Sequence, residues 1–355
     1  MSQKANVRLV KSESAGIGTQ SMLRIGVIGY GYWGPNIVRN FSTTGSSRVV
    51  AVCDLKDDNL RKVENNFSGV RTTKNCDELI RSKDVDAVAI VTPVFTHYEI
   101  AKKALEEGKH VFVEKPFTYT VAQAEDLINL AQRKNLKIMV DHTFLFTGAV
   151  RKIKQLVDDG TLGKIFYFDS MRVNLGLFQH DVNVLWDLAP HDLAIMAYVL
   201  NEKPLSVVAT GEAHVHHGME DVAYLTIYFT NNVIAHINVN WLSPVKVRTT
   251  LIGGQKKMLV WDDIEPDEKI KIYDKGVEVK NASGVYDLLV SYRSGDMWAP
   301  KVDQLEALKL ESNYFIECVS NGANPINDGA AGLQVVRMLE AADRSLKKRG
   351  ELVNL

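Results

Sequence analysis

Leu23-Arg24-Ile25-Gly26-Val27-Ile28-Gly29-Tyr30-Gly31-Tyr32-Trp33-Gly34 is the stretch that decides how this chain folds. Leu23–Ile28 is an apolar run of strand length, and it enters a G-x-G-x-x-G cluster directly. That string alone is weak. Its setting is specific: a strand before it, a helical stretch (Asn36–Phe41) after it, and a βαβ unit around both. Gly29 permits the tight turn, Gly31 lets backbone approach a pyrophosphate, and Gly34 lets helix and strand pack closely. The phosphates would take the free N–H groups and positive dipole end of the helix, with Tyr32 and Trp33 in the same loop. The second strand ends at Asp54, twenty residues after Gly34, where a carboxylate accepts from adenosine ribose hydroxyls. The same carboxylate repels a 2′-phosphate, which favours NAD over NADP. Lys56, Arg61 and Lys62 nearby keep NADP as the lesser alternative.

Outward from this loop, strand and helix alternate. Arg48–Cys53, Asp86–Val91, His110–Val113 and Lys137–Val140 are β-branched runs with little polar alternation, as in a parallel sheet covered on both faces. Thr96 with Glu99 and Thr120 with Gln123 have capping-box spacing, so each should open a helix. This is a doubly wound α/β sheet of the Rossmann kind. After about residue 145 the pattern changes to helices at Gly148–Asp159 and Trp186–Leu200, then long strands. Val233, Ala235, Ile237, Val239 and Trp241 alternate with Ile234, His236, Asn238 and Asn240, giving one dry and one polar face. Leu205–His217, Asp221–Thr230, Val247–Gly253 and Lys257–Asp262 add strands, and helices at Asp303–Asn321 and Gly329–Lys348 close the chain. The second unit is therefore α+β with a large, open, mostly antiparallel sheet. Residues 1–21 are expected to be a mobile extension, 22–143 a dinucleotide-binding domain, and 144–355 a domain for substrate binding and oligomerisation.

The chain's 355 residues fit two domains, and 46% hydrophobic with 24% charged residues rules out wholesale disorder. A formal charge of -1 gives no electrostatic reason to bind nucleic acid or acidic lipid. No uninterrupted apolar run approaches membrane-span length, and Met1–Ser21 has no apolar segment of signal-peptide length. Three cysteines without C-x-x-C spacing suit a reducing, cytoplasmic setting.

Two short motifs carry chemistry. Glu114-Lys115-Pro116 follows a sheet strand at the carboxyl edge, where such sheets bind ligands. Pro116 fixes its own φ and restrains Lys115; a surface ion pair is the plain alternative. In Trp186-Asp187-Leu188-Ala189-Pro190-His191, proline is tolerated only in a helix's first turn, so the helix should begin near Asp187. Asp187 and His191, four apart, then share a face, and a carboxylate beside an imidazole orients it as a general base. The alternative is Asp187 as a helix cap and His191 as an ordinary core histidine.

In their order these features resemble the glucose–fructose oxidoreductase/inositol dehydrogenase family, from about Leu23 to the C-terminus. The pieces are G-x-G-x-x-G, the acid after the second strand, Thr92-Pro93 with Thr96-His97, Glu114-Lys115-Pro116, and Asp187-x-x-x-His191. The resemblance implies that Lys115 holds the reacting hydroxyl or carbonyl and that His191 is the acid/base. It makes Asp187 the partner of His191 or a substrate ligand, Glu114 a nicotinamide-ribose ligand, and Thr92, Pro93 and His97 lining of the cofactor groove. One departure is visible: Asp141-His142-Thr143-Phe144-Leu145-Phe146 stands where many sugar- and polyol-oxidising members have a Gly-His-Asn-Arg-type segment. That disfavours free sugars and inositols. Arg172 and Asn174, on one face of a strand, are candidate substrate ligands, and Trp186, Phe144, Phe146 and Phe178 candidate stacking surfaces. By analogy the substrate is a nucleotide-linked sugar or sugar acid of surface polysaccharide synthesis, and the enzyme a homodimer or homotetramer. Two rivals remain: a zinc site at Glu212, His214 and His216, which share one face of a strand in this reading, and a dinucleotide sensor without catalysis.

Overall fold

The computed structural model describes residues 22–176, 178–215, 218–281 and 288–355; the expected N-terminal extension lies outside them. The first sheet is built from β1 (Leu23–Ile28), β2 (Ser47–Cys53), β3 (Arg71–Thr73), β4 (Ala87–Ile90), β5 (His110–Glu114) and β6 (Ile138–Asp141). Consecutive residues of β1 and β4 are buried on both faces, so the sheet is parallel and helix-covered. Its order is β3-β2-β1-β4-β5-β6, with the reversal between β1 and β4. Such a reversal opens a crevice at the carboxyl ends of the strands. The crossovers are α1 (Gly34–Thr43), α2 (Asp57–Asn66), α3 (Cys76–Arg81), α4 (Val94–Glu106) and α5 (Val121–Lys134). Thr120 caps α5 by accepting from Gln123 N at 3.2 Å. Thr96 caps nothing: α4 already begins at Val94, and the Thr96 hydroxyl bonds back to Thr92 Oγ1 and Pro93 O.

The second unit comprises α6 (Gly148–Asp158), β7 (Ile165–Val173), α7 (Val184–Val199), β8 (Pro204–Glu212), β9 (Val222–Phe229), β10 (Ile234–Asn240), β11 (Val247–Gly254), β12 (Met258–Asp262) and β13 (Ile270–Tyr273). It continues with β14 (Gly276–Asn281), β15 (Leu288–Arg293), β16 (Met297–Trp298), α8 (Ala307–Asn321), α9 (Gly329–Lys347) and β17 (Val353–Asn354). Nine strands form one sheet in the order β16-β13-β12-β11-β7-β10-β9-β8-β17, antiparallel throughout except for β7 with β10. The alternation along β10 is as expected, with Ala235, Ile237 and Val239 buried. α7 and α9 cover that dry face.

Three boundaries differ from expectation. β8 stops at Glu212, well short of His217, and α8 begins at Ala307 instead of Asp303. α7 begins at Val184, capped by Asn183 accepting from Trp186 N at 3.2 Å, so Pro190 lies inside the helix. Eleven residues of α7 are buried, and that packing outweighs the bond proline cannot make. The closing helices also return to the first sheet. Phe315 of α8 meets Phe41 and Phe112 edge-on at 6.0 and 5.6 Å, and Val140 N donates to Asn327 O at 2.9 Å.

Candidate active site

The glycine loop has the shape a dinucleotide requires. Gly29 adopts φ +98°, and a Cβ there would lie 2.2 Å from Val91 O. A Cβ on Gly34 would meet Gly29 O at 2.6 Å, so α1 is pressed onto the turn. At Gly31 nothing lies within 4 Å, leaving backbone open to a ligand, and Tyr32 beside it is exposed. α1 has no side-chain cap; Asn36 N donates back to Trp33 O at 2.9 Å, and the Gly34 N–H ahead of it has no side-chain acceptor. Asp54 accepts from Tyr30 N at 2.7 Å and from Lys56 N at 2.8 Å, tying the loop to the end of β2. A carboxylate has about four acceptor sites, so ribose hydroxyls still find room. These residues fit a bound NAD. Thr92 is half-buried and Pro93 exposed at the mouth of α4. His97 corrects expectation: it is 1% exposed, and its ring spans from Thr92 O at 2.8 Å to Pro116 O at 2.9 Å. It joins two edges of the groove from beneath and does not line it.

Across the crevice, β5 delivers Glu114 and Lys115 to the start of α7. Lys115 Nζ donates to Asp187 O at 2.8 Å and lies 3.5 Å from Asp187 Oδ1. Trp241 Nε1 donates to Asp187 Oδ2 at 3.1 Å. Asp187 is thus the partner of Lys115, and the expected orienting bond to His191 is not its role, since His191 Nδ1 has no hydrogen-bond partner. The His191 ring rests against Phe144, centroids 4.9 Å apart. Burial, then the cations Lys115 and Arg172, hold its pKa well below the ordinary histidine value, so it is neutral at pH 7. His142 is also buried with both ring nitrogens unpartnered, and burial lowers its pKa to about 4.

Two expected substrate ligands prove to be internal. Arg172 is 3% exposed and grips Asp192 through Nε at 2.6 Å and Nη2 at 3.2 Å, with its guanidinium 4.6 Å from the Phe144 centroid. It props Phe144, and through it His191, while its Nη1 is buried without a hydrogen-bond partner. Trp186, 2% exposed, donates to Asp343 at 2.8 Å and packs on Tyr119, so it offers no stacking surface. Both residues point inward because their elements are buried on the faces that carry them. Asn174, half-buried just past β7, stays beside Gly176 and Trp241 near the crevice. The zinc alternative loses its geometry: β8 ends at Glu212, and the His214 ring bonds Asp221 at 2.8 Å. His216 lies outside the described residues. Missed by sequence reasoning is a buried acidic group behind Lys115, formed by Glu114, Asp141 and Glu311. Its members come from β5, β6 and α8 and share no local signal.

Residues 23–142 match the family model described as GFO/IDH/MocA, oxidoreductase family with NAD-binding Rossmann fold, and 150–260 match the GFO/IDH/MocA C-terminal domain. Among curated relatives, myo-inositol 2-dehydrogenase of Thermotoga maritima is 24% identical, covering 92% of this chain and 97% of its own. UDP-N-acetylglucosamine 3-dehydrogenase of Acidithiobacillus ferrooxidans is 27% identical, covering 88% and 94%. The solved structure of the latter superposes with a TM-score of 0.77 at 24% identity, covering 92% of this chain and 98% of that one.

Proposed function

The chain belongs to the Gfo/Idh/MocA oxidoreductases, and from that premise we propose that it moves a hydride between nicotinamide and a carbinol carbon of a nucleotide-linked sugar or sugar acid. The observation that carries the reading is the meeting of Lys115 with Asp187 at the carboxyl edge of the sheet, one helical turn from a neutral, unpartnered His191. Gly29, Gly31, Tyr32, Trp33, Gly34 and Asp54 would hold the dinucleotide, with Thr92, Pro93 and Glu114 at its nicotinamide end. When bound, NAD supplies the two-electron acceptor or donor at its nicotinamide ring. In the oxidising direction the protein's part is to place the hydroxyl on Lys115. His191 takes the hydroxyl proton as the C–H bond gives up its hydride, and the Lys115 ammonium stabilises negative charge developing on that oxygen. Asp187 keeps Lys115 pointed at the crevice.

Two observations support a nucleotide-linked substrate: the Asp141–Phe146 segment in place of an Asn-Arg pair, and the likeness to UDP-N-acetylglucosamine 3-dehydrogenase. A free polyol is the second reading, favoured by the comparable likeness to myo-inositol 2-dehydrogenase. The setting is the cytoplasm, and the assembly a homodimer or homotetramer through the open face of the large sheet. Following NADH absorbance with nucleotide-linked hexoses and their uronic acids, then free sugars and inositols, separates the readings. Turnover of inositols alone would overturn the first.

A further inference from the structure

We propose that Glu311 is a positioning residue of the cofactor site: from α8 it clamps Asp141, and through Asp141 it fixes Trp33 of the glycine loop. The proposal rests on the reading of that loop as a dinucleotide site. Asp141, 2% exposed, accepts from Trp33 Nε1 at 3.1 Å and from the Thr143 hydroxyl. Two further carboxyls flank it. Glu311 is wholly buried and accepts at Oε1 from Asn327 Nδ2 at 2.8 Å, while its Oε2 has no partner. Glu114 accepts at Oε2 from Lys115 N at 3.1 Å, while its Oε1 is buried without a partner. In each case the oxygen left over is the one free to carry a proton. Three carboxylates packed together cannot all ionise, and burial with the charge of Asp141 pushes Glu311 and Glu114 well above the ordinary carboxyl range. Both are therefore neutral acids whose O–H groups donate to Asp141. With Trp33 and Thr143 they bring four donors to an anion that has about four acceptor sites.

The charged and titratable groups around the cluster are Lys115 beside Glu114 and His142 beside Asp141, on the same edge of the sheet. The clamp thus joins α8 to the phosphate loop, whose helix α1 has no side-chain cap. Preorganising that loop lowers the cost of ordering it on binding.

The test uses the full chain and NADH alone, so no sugar is needed. NADH affinity is measured by fluorescence titration, and the emission of Trp33, assigned by difference from Trp33→Phe, is followed from pH 7 upward. In the parent, raising the pH ionises Glu311, adds a like charge to Asp141 and loosens Trp33. An alkaline change in emission should therefore accompany weaker NADH binding. Glu311→Gln keeps the shape and a donor but cannot ionise. It should bind NADH within about threefold of the parent at pH 7 and show a smaller or displaced alkaline change. Glu311→Ala removes the donor and should weaken NADH binding about tenfold or more. If Glu311→Ala fails to fold, Glu311→Gln still decides. An unaltered alkaline change in Glu311→Gln, or parental NADH affinity in folded Glu311→Ala, overturns the proposal. Failure of every sugar with NADH binding intact would instead count against the substrate reading.

Discussion

In the proposed mechanism Lys115 and His191 act on one oxygen and one proton, so their losses should overlap. Lys115→Met removes the ammonium that meets Asp187 while keeping most of the side-chain volume, and leaves the glycine loop untouched. NADH affinity should change by less than tenfold, about 1.4 kcal/mol, while turnover falls roughly 10²-fold or more. His191→Ala should resemble it, and the double variant should lose less than the sum. Parental turnover in Lys115→Met would remove the lysine from the mechanism. The imidazole also sets a pH dependence. His191 must be neutral to accept a proton, and burial with Lys115 and Arg172 depresses its pKa. As pH falls, the base stays competent through 6.5 and is lost only at a lower value. The acid limb of kcat/KM for oxidation should accordingly lie below pH 6.5, and a limb centred at or above it would assign the base to another group. That Lys115 and His191 come to one edge of the sheet was legible because motif order marks them. The roles of Asp187 and Arg172 were not, because which partner a charged side chain meets is set across the chain: Asp187 by β5, Arg172 by α7.

Among elements, those with local determinants read correctly and those defined by distant partners did not. The apolar runs of β1, β2, β4 and β5, the Thr120 cap and the Gly29 turn each carry their cause within a few residues. β3, β13 and β16 are three, four and two residues long, so periodicity has nothing to count. Their pairing comes from neighbours across the sheet. Pro190 inside α7 is the clearest case of packing overriding a local rule. The placement of α8 on the first sheet is likewise non-local, and it carries a stability prediction. Phe315 is fully buried with Phe41 and Phe112 around it. Phe315→Ala should cost about 3–5 kcal/mol in denaturant unfolding, because the Rossmann core loses its third ring. A loss below about 1 kcal/mol would mean that α8 is not part of that core.

For the whole molecule, cofactor choice and assembly each give an expected outcome. A ligand that binds only the native state at about 100 times its dissociation constant adds about 2.7 kcal/mol. With Asp54 at the end of β2, NADH should raise Tm more than NADPH, and Asp54→Ala should narrow the gap; greater stabilisation by NADPH would reverse the reading of Asp54. Assembly follows from the face of the large sheet that α7 and α9 leave bare. Register places Tyr224, Asn238, Met171 and Thr249 in one cross-strand row, and Tyr228, Ile234, Tyr167 and Gly253 in another. The Tyr167 ring covers Gly253, where a Cβ would lie 2.1 Å from it. Between these rows runs a polar one, in which His236 Nδ1 lies 3.7 Å from Asp169 Oδ1. Tyr224, Tyr228 and Met171 are 51%, 40% and 41% exposed, more large apolar surface than a solvated sheet needs. Closed two-fold symmetry lets one such face cover its own copy, and burial of about 800 Å² per partner makes a stable contact. Light scattering at micromolar concentration should therefore give at least a dimer. Tyr228→Asp, placing a charge in an apolar row far from the glycine loop, should shift it toward monomer while NADH binding persists. A parent protein that scatters as a monomer would leave that face without a partner of its own kind.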